Sequence, residues 1–371
     1  MTNVGIAFGG YHPLHQGHLD VIMQSKKEND ISFVFVCGYD GDERGVNDLP
    51  LVKRFRIIKN FLSDDTLRVL FVNDTDLGID ESMCDGNWQT WMASVYEQIH
   101  NDELFKEISK NDTNVIYNWY VGEESYADKI AENNPRSDCD INVIFLDRTN
   151  NLVSGTLCRE RPLQYWNKIS APFRAYYSHN ILITGTASEG KTTLTKDIGK
   201  YFNLPYSYEK GRDICKLKPD NEFTVKDFIY NIYEQNKYNE ELICSAWNPG
   251  VFVSDTDNLV TLMYAKFYAE RDGFILSEEE YNILYNMALE YNKSIKWNKI
   301  FLIKPSAKPI VDDGERYMAD SDYEIRYNFY CFLKQLYEEF GLEYEELDGG
   351  YYNNFIRVKE YIEMIYGDEH E

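Results

Sequence analysis

The sequence predicts an α/β protein built from two doubly wound parallel sheets, and three observations point to this fold class. Short apolar strands alternate with amphipathic helices along most of the chain. The alternation restarts once, so two series of elements follow one another. A length of 371 residues also exceeds what one hydrophobic core usually supports, which favours two domains.

The first series contains five predicted strands, with helices between them. The strands are Val4–Phe8, Ile31–Cys37, Leu67–Val72, Asn114–Val121 and Ile141–Leu146. The helices are Gln16–Lys27, Leu51–Leu62, Trp88–Ile108 and Ser125–Asn133. This alternation is typical of a parallel sheet covered by helices on both faces. Connecting helices are expected over Arg159–Tyr177, where Pro162 and Pro172 interrupt the pattern.

The second series begins shortly after residue 178, where we place the boundary between domains 1–178 and 179–371. Its predicted strands are Ile181–Thr184, Val251–Ser254, Lys299–Ile303 and Glu343–Leu347. Its predicted helices are Lys191–Phe202, Thr224–Cys244, Asn258–Ala269, Glu278–Glu290 and Tyr323–Phe340, followed by a closing helix. The segment Lys304–Asp322 contains Pro, Asp and Gly and breaks the periodicity.

The composition excludes several classes of protein. Thirty-eight basic and sixty-two acidic side chains give a net charge of −24, which argues against a nucleic-acid-binding surface. The seven cysteines are scattered, so we expect reduced thiols rather than a zinc site or a disulfide framework. The chain shows neither a signal-peptide pattern nor a long apolar run, and we expect a cytoplasmic protein without membrane insertion.

A glycine-rich turn follows the first strand, with the sequence G-G-Y-H-P-L-H-Q-G-H at Gly9–His18. Gly9 and Gly10 lack side-chain bulk, so a ligand can approach the backbone closely. His15 and His18 flank Gly17 at the start of the next helix, where both imidazoles can face one anion. The helix N-terminus adds N–H groups and a positive dipole end, so this motif predicts a phosphate site.

This motif, H-x-G-H after a glycine-rich strand end, resembles the nucleotidylyltransferase superfamily. The later sequence V-S-G-T-L-C-R at Val153–Arg159 resembles the I-S-G-T-x-I-R motif of nicotinamide-nucleotide adenylyltransferases. The resemblance implies a Rossmann-like domain in which Ser154, Thr156 and Arg159 hold the phosphates of ATP. It also implies contacts of Gly9, Gly10 and Gly17 with ATP and a catalytic role for His15 and His18. Cys158 departs from the motif by replacing an apolar residue.

The same resemblance indicates two substrate-binding residues in the first domain. Trp88 lies in a segment where these enzymes place a ring against nicotinamide, although a Trp near a helix start is equally consistent with a core position. Glu123 lies in the turn after the fourth strand, where the family brackets its ligand.

A second phosphate motif, G-T-A-S-E-G-K-T at Gly185–Thr192, joins the first strand and the first helix of the second series. Its glycines permit the loop to wrap phosphates with backbone N–H groups. The pattern G-x-x-x-x-G-K-T predicts a catalytic Lys191 on the β- and γ-phosphates and a Thr192 hydroxyl on Mg²⁺. The ATP-binding residues assigned to this loop are Gly185, Ser188, Glu189, Gly190, Lys191, Thr192 and Thr193.

Two carboxylates, Asp255 and Asp257, follow the strand Val251–Ser254, at the sheet edge where ligands bind in such folds. One of them can hold Mg²⁺ or grip ribose hydroxyls while the other takes the acceptor proton. We assign Asp255 to metal and substrate, and Asp257 to substrate and catalysis, but the pattern leaves open which of the two is the base. Helix capping is the alternative for a D-x-D turn.

The wider pattern of the second half resembles the ribosylnicotinamide kinase half of NadR-type bifunctional proteins. Glu209 and Arg212 match a substrate-binding segment of that family, in which Lys210 replaces an aromatic residue. The stretch Pro309–Arg316 resembles the family's P-x-V-D-D-G-x-R lid, so Asp313 is expected at the substrate and Arg316 at the transferring phosphoryl group. The resemblance implies a P-loop kinase domain.

Together the resemblances imply a bifunctional NAD salvage enzyme that uses ATP with Mg²⁺. The second half would phosphorylate nicotinamide riboside, and the first half would adenylylate nicotinamide mononucleotide to NAD. One alternative is that only the kinase half is active and the first half is a nucleotide-binding sensor that regulates a partner. The sequence leaves a homo-oligomer open. Some family members carry an additional helix-turn-helix, and since this chain starts at the first catalytic strand, repressor function is not expected.

Overall fold

The computed structural model describes residues 1–42, 49–79, 85–112, 114–136, 139–146, 153–217, 222–270, 276–307 and 322–368. The chain divides into two compact units, Met1–Phe173 and Arg174–Glu371. The short segment 174–178, assigned from the sequence to the first domain, belongs to the second unit. None of the described helices is long and apolar enough to cross a membrane.

The first unit contains a five-stranded parallel sheet in the order β3-β2-β1-β4-β5. Its strands are β1 (Thr2–Gly9), β2 (Ile31–Gly38), β3 (Leu67–Asn73), β4 (Val115–Val121) and β5 (Asp140–Phe145). Its α-helices are α1 (Gln16–Glu28), α2 (Leu51–Leu62), α3 (Asp85–Asn101), α4 (Glu103–Ser109), α5 (Glu124–Asn133) and α6 (Gly155–Glu160). Short 3₁₀ helices lie at Thr75–Leu77, Trp166–Lys168 and Ala171–Tyr176.

The predicted helix over 88–108 consists of two helices, because Asp102 starts a new one. The Asp102 backbone is extended, and its Oδ1 accepts hydrogen bonds from the amides of Leu104 and Phe105 at 3.0 and 3.1 Å. This is an N-cap, which satisfies amides that the preceding helix cannot reach. The helical stretch predicted over 88–108 is therefore interrupted at this residue.

The central strands β1 and β2 are buried along most of their length, as expected when helices cover both faces of a parallel sheet. On one face their apolar side chains pack against α3, where Trp91 is 1% exposed and Met92 is fully buried. This packing fixes the position at which β1 ends in Gly9 and the chain turns towards α1.

A buried ion pair joins Asp42, which follows β2, to Arg54 on α2. The Arg54 guanidinium on α2 donates to Asp42 Oδ2 at 3.0 Å, to the Asp42 carbonyl at 2.9 Å and to the Leu49 carbonyl at 2.8 Å. Both side chains of the pair are 0% exposed. Gly38 makes room for the pair, since a Cβ there would lie 2.7 Å from Arg54 Nη2. The neighbouring Asp74 has a pKa raised to about 6 by burial and by the charge of Asp42.

The second unit contains a five-stranded parallel sheet in the order β10-β9-β6-β8-β7. Its strands are β6 (His179–Gly185), β7 (Tyr206–Ser207), β8 (Val251–Ser254), β9 (Lys299–Ile303) and β10 (Glu345–Leu347). Its helices are α7 (Lys191–Phe202), α8 (Gly211–Cys215), α9 (Val225–Ile243), α10 (Asn258–Glu270), α11 (Glu278–Ser294), α12 (Tyr323–Glu339) and α13 (Gly350–Asp368). The two parallel sheets with flanking helices confirm the predicted fold class.

Two short elements of this unit were not predicted, β7 and α8. A strand of two residues and a helix of five are too short to give a periodic signal. The main core on one side of the sheet includes Leu182 of β6, Leu259 and Met263 of α10, and Leu333 of α12, all fully buried. The first four residues of β6 pair with the four residues of β8, which puts Leu182 beside Ser254.

We expect Arg54→Met to lower the free energy of unfolding of the first unit by about 3–5 kcal/mol, because it removes the charged partner of a buried carboxylate. Lys106→Met is the matched control. It removes one partner of an exposed ion pair with Glu103, and about 0–1 kcal/mol should be lost. Denaturant titration followed by circular dichroism measures both changes. Equal small losses would contradict the structural role of the buried pair.

Candidate active sites

A cavity of about 230 Å³ lies at the carboxyl ends of β1 and β4, the neighbouring strands from which the chain winds in opposite directions. Eight residues that the sequence assigned to the first site line this cavity: Gly9, Gly10, His15, His18, Glu123, Ser154, Thr156 and Arg159. Tyr11, His12 and Gly155 also line it and were not assigned, although all three lie inside the two motifs.

The two predicted catalytic histidines stack on one another at the start of α1. Their ring centroids are 3.7 Å apart with an interplanar angle of 23°. His15 is the N-cap residue, and its backbone amide donates to His18 Nδ1 at 3.4 Å. An imidazole that accepts at Nδ1 carries its proton on Nε2, so His18 is set to act as a donor. Gly17 leaves room for the stack, since a Cβ there would lie 3.3 Å from the His15 ring.

The second motif of this unit contacts the first through Arg159. Its guanidinium donates to the His12 carbonyl at 2.5 Å and to Thr156 Oγ1 at 3.1 Å. Gly155 permits this approach, because a Cβ there would lie 3.1 Å from Arg159 Nη1 and 3.2 Å from the His12 carbonyl. Ser154 is the N-cap of α6, and its Oγ accepts from the Leu157 amide at 3.2 Å. The arrangement orients a cation towards the cavity that the histidines line.

Trp88 lies in the aromatic core rather than among the residues that line the cavity. It is 4% exposed and packs against Phe8, Trp91 and Tyr126, with ring centroids 6.3, 5.7 and 5.8 Å away. Phe8 and Tyr126 are the members of this cluster that reach the cavity. The geometry favours the core alternative for Trp88. Its predicted contact with a pyridine ring stays a prediction.

In the second unit the predicted phosphate loop joins β6 to α7. Gly185, Ser188 and Gly190 have φ values of 145°, 64° and 81°, which two glycines adopt easily and a serine does not. A Cβ on Gly185 would lie 2.8 Å from the Ile303 carbonyl. Lys191 is 7% exposed, and its Nζ donates to the Thr186 carbonyl at 2.7 Å. The loop therefore holds its own lysine in a curled conformation.

Thr192 and Asp255 contact each other at the carboxyl ends of β6 and β8. Thr192 Oγ1 donates to Asp255 Oδ2 at 2.7 Å, and Arg212 Nη2 donates to Thr192 Oγ1 at 3.1 Å. Burial raises the pKa of Asp255 to about 6, against lowering by Thr192, Lys191 and Arg212. A hydroxyl and a carboxylate are hard oxygen donors of the kind that Mg²⁺ prefers. The described residues contain no cluster of three or more metal-ligating side chains, so this pair would need phosphate oxygens to complete a Mg²⁺ shell.

Asp257 has a different environment from Asp255. It is 2% exposed, and its Oδ1 accepts from the Val260 amide at 3.0 Å in the first turn of α10. Burial raises its pKa to about 7, opposed by the Val260 amide and the Tyr337 hydroxyl. This position is that of a helix cap, so the geometry favours the capping alternative for Asp257.

The segment after β7 supplies the predicted substrate residues Glu209 and Arg212. Arg212 Nε lies 3.7 Å from Glu209 Oε2, and both side chains are partly exposed. Lys210, which replaces an aromatic residue of the family pattern, has its ammonium 4.8 and 4.4 Å from the ring centroids of Tyr208 and Tyr238. Asp313 and Arg316 lie outside the described residues.

Comparisons with known proteins agree with this architecture. Residues 180–353 match a family described as an AAA domain. The trifunctional NAD biosynthesis/regulator protein NadR of Salmonella typhimurium is 23% identical over 386 aligned positions, which cover 99% of this chain and 84% of that protein.

Two solved structures align with both units of the chain. A NadR protein in complex with NR is 29% identical, with a TM-score of 0.78 over 97% of this chain and 96% of that chain. A NadR protein in complex with NAD and AMP-PNP is 30% identical, with a TM-score of 0.77 and the same coverage. The chain belongs to the NadR family.

Proposed function

We propose that this NadR family member is an enzyme of NAD biosynthesis that uses two ATP molecules in two steps. The second unit transfers the γ-phosphoryl group of ATP to nicotinamide riboside and forms nicotinamide mononucleotide. The first unit then transfers the adenylyl group of another ATP to this mononucleotide, which forms NAD and releases pyrophosphate. The observation that carries the proposal is that each unit places a phosphate-binding motif at the end of its central strand.

The ligands of the solved relatives support this choice of substrates. One solved NadR protein binds NR, and another binds NAD together with AMP-PNP, an ATP analogue. The chain aligns with both over nearly its whole length, and we extend these ligands to it by that similarity.

For the kinase step, Lys191 and Arg212 supply positive charge beside the loop that would hold the phosphates. Phosphoryl transfer passes through a loose transition state, so positioning and charge neutralisation contribute most of the catalysis. We assign to Glu209, whose Oε2 lies 3.7 Å from Arg212 Nε, the role of accepting hydrogen bonds from the ribose hydroxyls of the nucleoside. Mg²⁺ would be held by Thr192 Oγ1 and Asp255 with phosphate oxygens, where it would neutralise phosphate charge.

For the adenylyl transfer, the phosphate of the mononucleotide attacks the α-phosphorus of ATP and pyrophosphate leaves. No protein nucleophile is needed, but negative charge on the phosphates must be stabilised. His18, the N-terminus of α1, Thr156 and Arg159 converge on the cavity for this purpose. Arg159 is oriented by a neutral carbonyl, so its positive charge is not neutralised by this contact.

The direct test is a time course of products. Purified protein with nicotinamide riboside, ATP and Mg²⁺ should form nicotinamide mononucleotide first and NAD with pyrophosphate later, because the product of one unit is the substrate of the other. Chromatography resolves nicotinamide riboside, nicotinamide mononucleotide and NAD. Mononucleotide without NAD would leave the first unit as a nucleotide-binding sensor that regulates a partner. Absence of both products would contradict the proposal.

Asp255 and Asp257 should respond differently to replacement by asparagine. Asp255→Asn should lower kinase kcat by about 100-fold or more, because it removes the anionic oxygen donor that would hold Mg²⁺ together with Thr192. Asp257→Asn should leave kcat within about threefold, because Asn caps a helix as well as Asp. Steady-state kinetics of mononucleotide formation checks both. A larger loss for Asp257→Asn than for Asp255→Asn would make Asp257 the catalytic base.

The same Asp257→Asn variant tests whether the Asp257 carboxyl group is buried, through the pH dependence of the stability of the second unit. Burial raises the pKa of Asp257 from its ordinary value of 3.8 to about 7 in the folded chain. The folded state therefore holds a proton that the unfolded state has lost, and the resulting stability is present below pH ~4 and lost as pH rises towards 7. Denaturation of the second unit should consequently depend less on pH in the variant than in the parent. Identical pH profiles would contradict the buried position of this carboxyl group.

A further inference from the structure

Glu189 lies within the phosphate loop of the second unit, but its side chain is held by the protein itself. Its carboxylate forms an ion pair with Arg326 of α12 and accepts a hydrogen bond from the Ser306 amide at 3.1 Å. The Glu189 and Arg326 side chains are 5% and 2% exposed. A carboxylate so enclosed is turned away from solvent, and it does not present a charge outward to a nucleotide.

The contacts of Glu189 join three parts of the second unit. Arg326 Nη2 also donates to the Ser306 carbonyl at 2.9 Å, so Ser306 is linked to both members of the ion pair. Ser306 follows β9, and Arg326 lies in the first turns of α12. The loop that carries Lys191 is thereby attached to the elements beside it, through a side chain adjacent to Gly190.

Two physical features explain why this attachment should affect the conformation and the charge of the phosphate loop. Glu189 stands between Ser188 and Gly190, which both have positive φ, so a residue of left-handed backbone lies on each side of it. An acidic residue in a loop that binds phosphates would also repel them, unless a cation neutralised it. Arg326 provides that cation on the protein side, and the pair is shielded from solvent screening by its burial.

We infer that Glu189 and Arg326 are positioning residues that preorganise the phosphate loop for ATP, acting through the loop backbone rather than by contact with the nucleotide. The inference rests on the proposed kinase activity only in one respect, which is that the KM for ATP and kcat are measured in the kinase reaction. Preorganisation lowers the cost of ordering a binding loop, so its loss should weaken ATP binding more than it slows the chemical step.

The Glu189→Gln variant would test this inference, because it keeps an acceptor for the Ser306 amide but removes the negative charge of Glu189. The expected result is a rise of roughly tenfold in the KM for ATP of the kinase step, with kcat changed less than about threefold. Arg326→Gln should produce a rise of similar size, and the double variant should be no worse than either single one, because the residues act as a pair. Glu346→Gln is the matched control. Glu346 of β10 forms a more exposed ion pair with Lys334 of α12, the helix that also carries Arg326, and the variant removes the negative charge of that pair.

Two measurements separate positioning from a merely structural role. The KM for ATP of the adenylyl transfer by the first unit should be unchanged in the same preparations. Glu189→Asp, which retains the charge but retracts it, should give a KM between those of the parent and Glu189→Gln. Folded variants with reduced melting temperature and an unchanged KM would overturn the inference, and so would additive effects in the double variant.

Binding of Mg²⁺–AMP-PNP, measured by calorimetry, keeps the inference separate from the proposed function. Lys191→Ala identifies the binding event that belongs to the second unit. If the parent phosphorylates no nucleoside, the proposed function fails, and weaker nucleotide binding by Glu189→Gln would still support positioning. Unchanged binding by a folded Glu189→Gln variant would overturn it.

Discussion

In each unit the position of the polar groups of the candidate site depends on one constraint. A central parallel strand ends close to the N-terminus of the helix that follows it. β1 and β6 lie between strands on both sides, and one neighbour pairs with each of them as far as Gly9 and Gly185. Beyond Gly9 and Gly185 the chain passes through a short loop into α1 and α7, whose first amides have no partner within the helix. Those amides favour an anion, and the surrounding cations and hydroxyls contribute further charge at the same place.

The basic side chains at the two candidate sites contact different groups from the basic side chains that are buried in ion pairs. Arg159 and Lys191 donate to carbonyl oxygens of His12 and Thr186, which orient the cations without cancelling their charge. Arg54 and Arg326 instead pair with the carboxylates of Asp42 and Glu189 inside the protein. A chain with a net charge of −24 can in this way keep local positive charge for phosphates while its structural cations are neutralised.

The sequence predicted the fold and the loops well because strand periodicity and glycine motifs are local signals. It could not predict contacts between distant segments, such as the bond from Arg159 to the His12 carbonyl or the ion pair between Glu189 and Arg326. The burial of Asp257 could not be predicted either, because a D-x-D turn has the same sequence whether Asp257 caps a helix or contacts a substrate. The two-residue β7 lacked any periodic signal, although it leads into Glu209 and Arg212.

The central claim is that one chain carries two separate ATP-using sites that act in sequence, and complementation tests it most directly. Lys191→Ala should abolish phosphorylation of nicotinamide riboside and leave adenylylation intact, whereas His18→Ala should do the reverse. Neither variant alone should convert nicotinamide riboside to NAD, and an equimolar mixture should do so, because the mononucleotide made by one protein is used by the other. Loss of both activities in either folded variant, or a mixture that makes no NAD, would contradict the account.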